Sequence, residues 1–412
     1  MRIAYVAPFQ GPTLLKRRPI TGNLSLGTRA KIELIADLLQ GNSHSVEILS
    51  QGEVIVSEWK AYPAFAEEER FNQHIPVYYA SAFPVRFLNG FSSNLSLVRL
   101  LKQRHEVEPF DLVLIYNLKT PQVACANYVY RSLRVPVVLE YEDDCFRDIY
   151  PRKRFRRIGA WRTAMEHSKA KRLLDSLSGC LGGSSALLSQ AAEGIPKLLL
   201  PGVVADPPSG SNGPRQNRVV FSGTHSRYQG LEQLVQAWRM GGFTGWELHI
   251  AGEGEMTTRL REIAQDDRSI VFRGMLNRVQ NLEFLNSGKI TVVAYDVSTT
   301  IGFSFKTLEC LGAGVHVITT PLTALEALAP ELKVALSYIS DNRPETISAC
   351  LKKVISERRY ECTVQDAVHE RYGPAAVSRS LATFLEQVMT GFRNKDSAER
   401  REASAMSTIA GR

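Results

Sequence analysis

The second half of the chain alternates strand-length apolar runs with segments of helical period, and this relay leaves few folds open to it. RVVFSG (218–223) leads to GLEQLVQAW, in which Leu231, Leu234, Val235 and Trp238 recur at i, i+3, i+4 and i+7 and define one face of a helix. WELHIAGEG, SIVFRG, KITVVAY and VHVITT follow as further strands, separated by MTTRLREIAQ, VQNLEFLNSG and FKTLECLGAG. Strands apolar at nearly every residue and joined by helices predict a parallel sheet covered on both faces. The first half repeats the plan with RIAYVAP, a helix over 25–40, SVEILS, DLVLIYN, a helix after Pro121, PVVLEYED, a long basic helix and GCLGGS. The expectation is an α/β chain of two doubly wound, Rossmann-like domains. DPPSGSNGPRQN crowds Pro, Gly, Ser and Asn as an exposed linker does. The expected organisation is therefore a first domain over 1–206, a linker over 207–217 and a second domain over 218–390. A terminal helix with Val377, Leu381, Phe384 and Val388 on one face ends that domain, and 391–412 reads as a polar, flexible tail.

Composition narrows the class. At 412 residues and 44% hydrophobic, the chain is too long for one ordinary core and too apolar for disorder. The absence of any run near ~18 apolar residues argues against a spanning helix, and a start of MRIAYVAPFQGP, cut by Pro8, against a secretory signal. Six scattered cysteines without a C-x-x-C pair read as reduced thiols in a cytoplasmic protein without structural zinc. The net charge of +8 sits in the first half, where 26 Lys and Arg face 19 Asp and Glu, against 24 and 23 in the rest. Nine basic residues, from Arg152 to Arg172, face only Glu166. Such a run suits anionic lipid, nucleic acid or a phosphorylated substrate, and a solvated helix face is the plainer alternative. No nucleic-acid motif or aromatic platform accompanies it.

Parallel sheets bind ligands beyond the carboxyl ends of their strands, so the chemistry is sought in the loops there. Gly252-Glu253-Gly254-Glu255 lacks the last Gly of a dinucleotide fingerprint and carries two carboxylates that would repel a pyrophosphate, so it reads as a tight turn. Thr224 to Gly230 offers hydroxyls, the Arg227 guanidinium and free N–H groups, fit for a phosphate or for an ordinary capped turn. Lys306 and Glu309 stand at i, i+3 on one helix face. The ammonium suits a phosphate and the carboxylate suits ribose hydroxyls, while a surface ion pair is the alternative. Glu140-Tyr141-Glu142-Asp143-Asp144 crowds carboxylates for acid–base work or a metal, or for helix capping by Asp143 or Asp144.

FSFKTLECLGAGVHVITTP (303–321) resembles F-P-S-K-x-x-E-Y-x-A-x-G-x-P-V-I, a stretch of one subgroup of the retaining, family 4 glycosyltransferases of GT-B fold. Phe303, Lys306, Glu309, Gly312 and Gly314 match it, and FSGTHSRYQGLEQL resembles the subgroup's S-G-T-x-x-x-x-Y-G-I-x-x-L opening. The departures are equally specific. Ile301 stands at the first Glu of the family's E-x7-E, Thr224 and Gln229 replace its Arg and Lys, and Glu142 occupies the place of a His at the donor sugar. Ser304, Phe305 and His316 also break the pattern.

The resemblance implies two domains facing a cleft and transfer of a sugar from a nucleoside diphosphate sugar with retained configuration, without a cofactor or an obligatory metal. It places Gly223, Thr224, Arg227, Gly274, Met275, Lys306 and Glu309 at the donor and makes Glu142 and Lys306 the catalytic candidates. It also implies a lipid-linked, polysaccharide or other glycan acceptor. The basic run of the first half, with Phe155, Ile158, Trp161 and Met165 interleaved at helical spacing, suits a peripheral contact with anionic membrane. Two alternatives share the fold: a non-catalytic partner subunit, motivated by Thr224, Gln229 and Ile301, and a sugar-nucleotide epimerase. A metal-dependent transferase using Glu142-x-Asp144 needs a different, single-domain fold.

Overall fold

The computed structural model describes residues 1–18, 26–54, 57–67, 75–85, 89–146, 158–206, 214–296, 305–322, 325 and 328–410, with the backbone alone at 26, 158–163 and 399–410. It divides into two compact units. Met1–Gly22, Ile35–Leu200 and Ser378–Arg412 form the first, and Asn23–Leu34 with Pro201–Val377 the second.

The first unit holds strands β1 (Arg2–Val6), β2 (Ser45–Ser50), β3 (Phe65–Glu67), β4 (Val77–Tyr79), β5 (Leu112–Tyr116), β6 (Val137–Tyr141), β7 (Gly179–Gly182) and β8 (Lys197–Leu199). Their order is β3-β4-β2-β1-β5-β6-β7-β8, and only the β3–β4 pair is antiparallel. Val6 aligns with Leu49 on one side and Ile115 on the other, so the strand order reverses beside β1. Every residue of β1 is buried. Ala4 and Val6 join a cluster with Leu49, Val113 and Leu139, while Ile3 and Tyr5 are buried on the opposite face.

The second unit holds β9 (Arg218–Ser222), β10 (Glu247–Ala251), β11 (Ile270–Gly274), β12 (Ile290–Val293), β13 (His316–Thr319) and β14 (Leu336–Tyr338). All pairs are parallel, in the order β11-β10-β9-β12-β13-β14. Val220 packs with Ala251, Val293 and Val317 on one face, and Val219 and Phe221 pack with Leu248 and Ile250 on the other. Burial of each such large side chain contributes about 1.5–3 kcal/mol. The helix Leu231–Gly241 buries Leu231, Leu234, Val235 and Trp238, the stripe expected from their spacing.

Four strands lie outside the predicted relay. β3, β4, β8 and β14 have three residues each, too few to show a period, and they take shape by pairing with a longer neighbour. The C-terminal helix runs Pro374–Ala410 and so continues through most of the predicted flexible tail. A helix already nucleated adds residues at little cost, and past Gly391 the sequence is rich in Ala, Arg and Glu with no further Gly or Pro until Gly411. From Ser378 this helix belongs to the first unit and not to the second domain. On β7, a Cβ at Gly179 would lie 2.6 Å from Val388 and 3.1 Å from Phe384. The division at Leu200/Pro201 precedes the predicted linker, of which 207–213 lie outside the described residues.

The basic helix is Ile158–Leu174, with Lys169, Lys171 and Arg172 exposed. Arg152, Lys153, Arg154, Phe155, Arg156 and Arg157 lie outside the described residues, as do the side chains of Ile158, Trp161 and Arg162. No described helix is long and apolar enough to cross a membrane. All six cysteines are free, and among the described residues no group of three or more His, Cys, Asp or Glu is placed to hold a metal.

Candidate functional site

The second sheet reverses its order between β9 and β12, the place where a doubly wound sheet opens a crevice. The loop that follows β9 is stitched down along its length. Gly223 N donates to Ala251 O at 3.1 Å, His225 N to Glu253 O at 3.0 Å, and Met256 N to His225 O at 2.9 Å. The glycines after β10 make this possible. A Cβ on Gly252, where φ is +114°, would overlap Gly223 O, and one on Gly254 would lie 2.7 Å from His225 O. They serve the close approach of two chain segments, as a tight turn requires.

Lys306, in the first turn of the helix Phe305–Gly312, reaches into this loop. Its Nζ stands 3.9 Å from the centroid of the Phe221 ring and donates to Oε1 of Gln229 at 2.5 Å. Gly223, with φ +152°, closes a third side, since a Cβ there would lie 2.6 Å from Nζ. Phe221, Gly223 and Gln229 thus cradle one ammonium.

Burial governs the charge of this helix. Lys306 and Glu309 keep some solvent exposure, yet loss of water around their charged ends moves both. Lys306 is brought down to about 7, against the attraction of Cys310 and Glu309. Glu309 is pushed up to about 7, against Arg278 and Lys306. No ion pair joins Lys306 to Glu309, so the surface pair weighed as the alternative is absent between these two described residues.

The other expected donor residues are placed more loosely. The Thr224 side chain is half-buried beside this cradle in sequence and takes no hydrogen-bond partner. Arg227 is exposed, and its side chain lines a separate groove of about 470 Å³ with Glu232, Glu255, Met256 and Arg259. Gly274 ends β11 at φ +66°, with its carbonyl taken by Gly252 N at 2.7 Å, and Met275 is exposed. No described contact links Arg227, Gly274 or Met275 to Lys306. Ile301, Phe303 and Ser304 lie outside the described residues.

In the first unit, Glu142 follows β6, and its backbone is fixed by Asn117 from the loop after β5. Asn117, left-handed at φ +58°, accepts on Oδ1 from Glu142 N at 2.7 Å and Asp143 N at 3.0 Å, and donates to Asp143 Oδ2 at 2.9 Å. Asp144 accepts from Phe146 N at 3.0 Å. Asp143 and Asp144 therefore hold a turn, and the chain from 147 to 157, where a helix capped by either would run, lies outside the described residues. Asn117 was missed in the sequence, although an Asn closing the strand DLVLIYN is the residue type that tolerates left-handed backbone. Gln229 was missed because it registered there only as an absent lysine.

These two doubly wound units have the fold of GT-B glycosyltransferases. Residues 216–357, within the second unit, match the family model described as glycosyl transferases group 1. Sucrose-phosphate synthase from Thermosynechococcus elongatus superposes with a TM-score of 0.70 at 13% identity, over 95% of this chain and 100% of that one. HepE from Anabaena, in complex with UDP, gives 0.63 at 13% identity over 94% and 100%. A putative UDP-N-acetylglucosamine 2-epimerase from Listeria monocytogenes gives 0.55 at 11% identity over 92% and 94%. At such identities the likenesses speak for the fold. No curated protein matches the chain in sequence.

Proposed function

We propose that the protein is a retaining glycosyltransferase that moves a hexosyl group from a nucleoside diphosphate sugar to a lipid-linked or polysaccharide acceptor at the cytoplasmic face of a membrane. The observation that carries this reading is the cradled ammonium of Lys306 at the strand-order reversal of the unit that matches glycosyl transferases group 1. In the reaction, the bond from the anomeric carbon to the diphosphate oxygen breaks and a bond to the acceptor oxygen forms on the same face. The acceptor proton leaves with the diphosphate. Lys306 donates to the departing phosphate oxygens, where charge builds up, assisted by the Thr224 hydroxyl and backbone N–H groups. Glu309 accepts from ribose hydroxyls, and the backbone at Gly274 and Met275 meets the base. Glu142, its backbone held by Asn117, is the catalytic candidate of the first unit. The exposed Lys169, Lys171 and Arg172 belong to the membrane contact, which weakens as salt rises.

Calorimetric titration with UDP, ADP and GDP tests the reading. Lys306→Ala and Glu309→Ala should each weaken the nucleotide that binds by about 10–100-fold, the effect of removing a charged partner worth ~1.5–3 kcal/mol. Binding of none of the three would reject the enzyme in favour of a partner subunit. Turnover of the sugar nucleotide without any acceptor would identify an epimerase, and full activity in EDTA is expected.

A further inference from the structure

The residue that stands in place of a lysine has a role of its own. Gln229 is fixed on both flanks by the end of β12. Tyr228 stacks on Tyr295 with centroids 6.5 Å apart and planes 11° from parallel, and Gly230, at φ +69°, passes so near β12 that a Cβ would overlap Ala294 O. These anchors fix the backbone on either side of 229, and the side-chain amide points its oxygen at Lys306 Nζ. We propose that Gln229 is a positioning residue whose neutral amide holds the Lys306 ammonium against Phe221 and Gly223 while leaving its positive charge uncancelled for a diphosphate. The inference rests on the donor-site reading above and goes beyond it in assigning how that charge is kept available.

The chemistry of the side chain at 229 decides the outcome. A lysine ammonium has three N–H donors, and the amide engages one, so two remain for phosphate oxygens. An acceptor without formal charge satisfies the partly buried ammonium and does not neutralise it. A carboxylate at the same spot would hold Nζ more tightly and cancel the field a phosphate needs. A second ammonium at 229 would face Nζ across the 2.5 Å now occupied by the hydrogen bond and drive the two apart. Restoring a lysine at 229 should therefore weaken diphosphate binding, the reverse of what the family pattern alone suggests. The charged or titratable groups that bear on Lys306 are Glu309 and Cys310 on its own helix and His225 across the loop. None of them accepts a hydrogen bond from Nζ.

The test titrates UDP and inorganic pyrophosphate into the full chain and its Gln229→Glu, Gln229→Lys and Gln229→Met variants. In parallel, acetic anhydride labelling of Lys306, read by mass spectrometry from pH 6 to 10, follows the lysine without any ligand. Gln229→Glu, which keeps the shape, should lose about tenfold or more for both probes and shift Lys306 labelling to higher pH. Gln229→Lys should lose as much with labelling shifted to lower pH, and Gln229→Met should fall between them and the natural protein. Should Gln229→Lys fail to fold, the isosteric Gln229→Glu decides. Natural affinity and unchanged labelling in Gln229→Glu would overturn the positioning role while leaving the donor-site reading intact. Pyrophosphate bound without UDP, ADP or GDP would overturn the nucleotide reading and leave the role of Gln229 standing. Binding of neither probe class would overturn both.

Discussion

The carboxyl edges of the two sheets share a plan and differ in what they do with their polar groups. Beyond β5 and β6, Asn117 engages two backbone N–H groups and an Asp143 carboxylate oxygen, and Gln122 donates to Gln51 at 2.9 Å. That edge turns most of its polar groups on itself, with Oε1 of Gln122 left without a partner. Beyond β9 and β12, glycines clear a space, an aromatic face lies beneath it, and a single ammonium meets one neutral acceptor. An edge that spends its hydrogen bonds inward holds loops in place, whereas one that leaves a charge partly unanswered is prepared for a ligand of opposite sign.

The contrast is broken most severely at Gly223. Gly223→Ala combines a backbone region that L residues avoid with a methyl 2.6 Å from Lys306 Nζ. UDP affinity should fall by about 100-fold and stability by about 1–3 kcal/mol, as read by calorimetry and by urea unfolding.

Asn117→Ala should act on the first edge alone. Losing its acceptor for Glu142 N and Asp143 N should cost about 1–3 kcal/mol in the first unit. Nucleotide affinity should stay at the natural value in the same calorimeter.

The third expectation concerns pH. Lys306 titrates near 7 when folded against 10.5 for an ordinary lysine, so from pH 7 to 10.5 the unfolded chain holds the extra proton and stability rises with pH. Glu309 titrates near 7 against 4.5, so from 4.5 to 7 the folded chain holds it and stability falls with pH. Their joint contribution is smallest near pH 7. In thermal melts across this range, Lys306→Met should remove the rise above pH 7 and Glu309→Gln the fall below it. Nucleotide binding should weaken above pH 7 as Lys306 loses its proton.

The smallest effect belongs to Arg227→Ala. Its exposed side chain lines the groove with Glu255 and Arg259, apart from the cradle, so stability should change by under ~0.5 kcal/mol and UDP affinity by under about threefold. A tenfold loss would show that Arg227 swings into the donor site.

Much of this was legible in the sequence, for physical reasons that also mark where legibility stops. The parallel sheets showed because strands buried on both faces must be apolar throughout, as Val219, Val220 and Phe221 are. Lys306 and Glu309 showed through helical spacing and a motif. Gln229 did not, because its role arises from a lysine 77 positions away that folding brings to its amide. Asn117 was hidden likewise, its partners lying in the loop after a different strand. The three-residue strands carry no period, and the length of the last helix depended on propagation from a buried segment that composition alone does not reveal.

That last helix sets the order in which the chain matures on the ribosome. The first unit is begun at residue 1 yet needs Ser378 onward, whereas every segment of the second has been made by Val377. The unit started first is therefore finished last. Until Phe384 and Val388 emerge, the face of β7 around Gly179 has nothing to cover it, and at 5–20 residues per second about ten seconds or more pass between the two. A chain held on the ribosome just after residue 377 has left the exit tunnel should already bind nucleotide through its second unit while its first sheet still attracts chaperones.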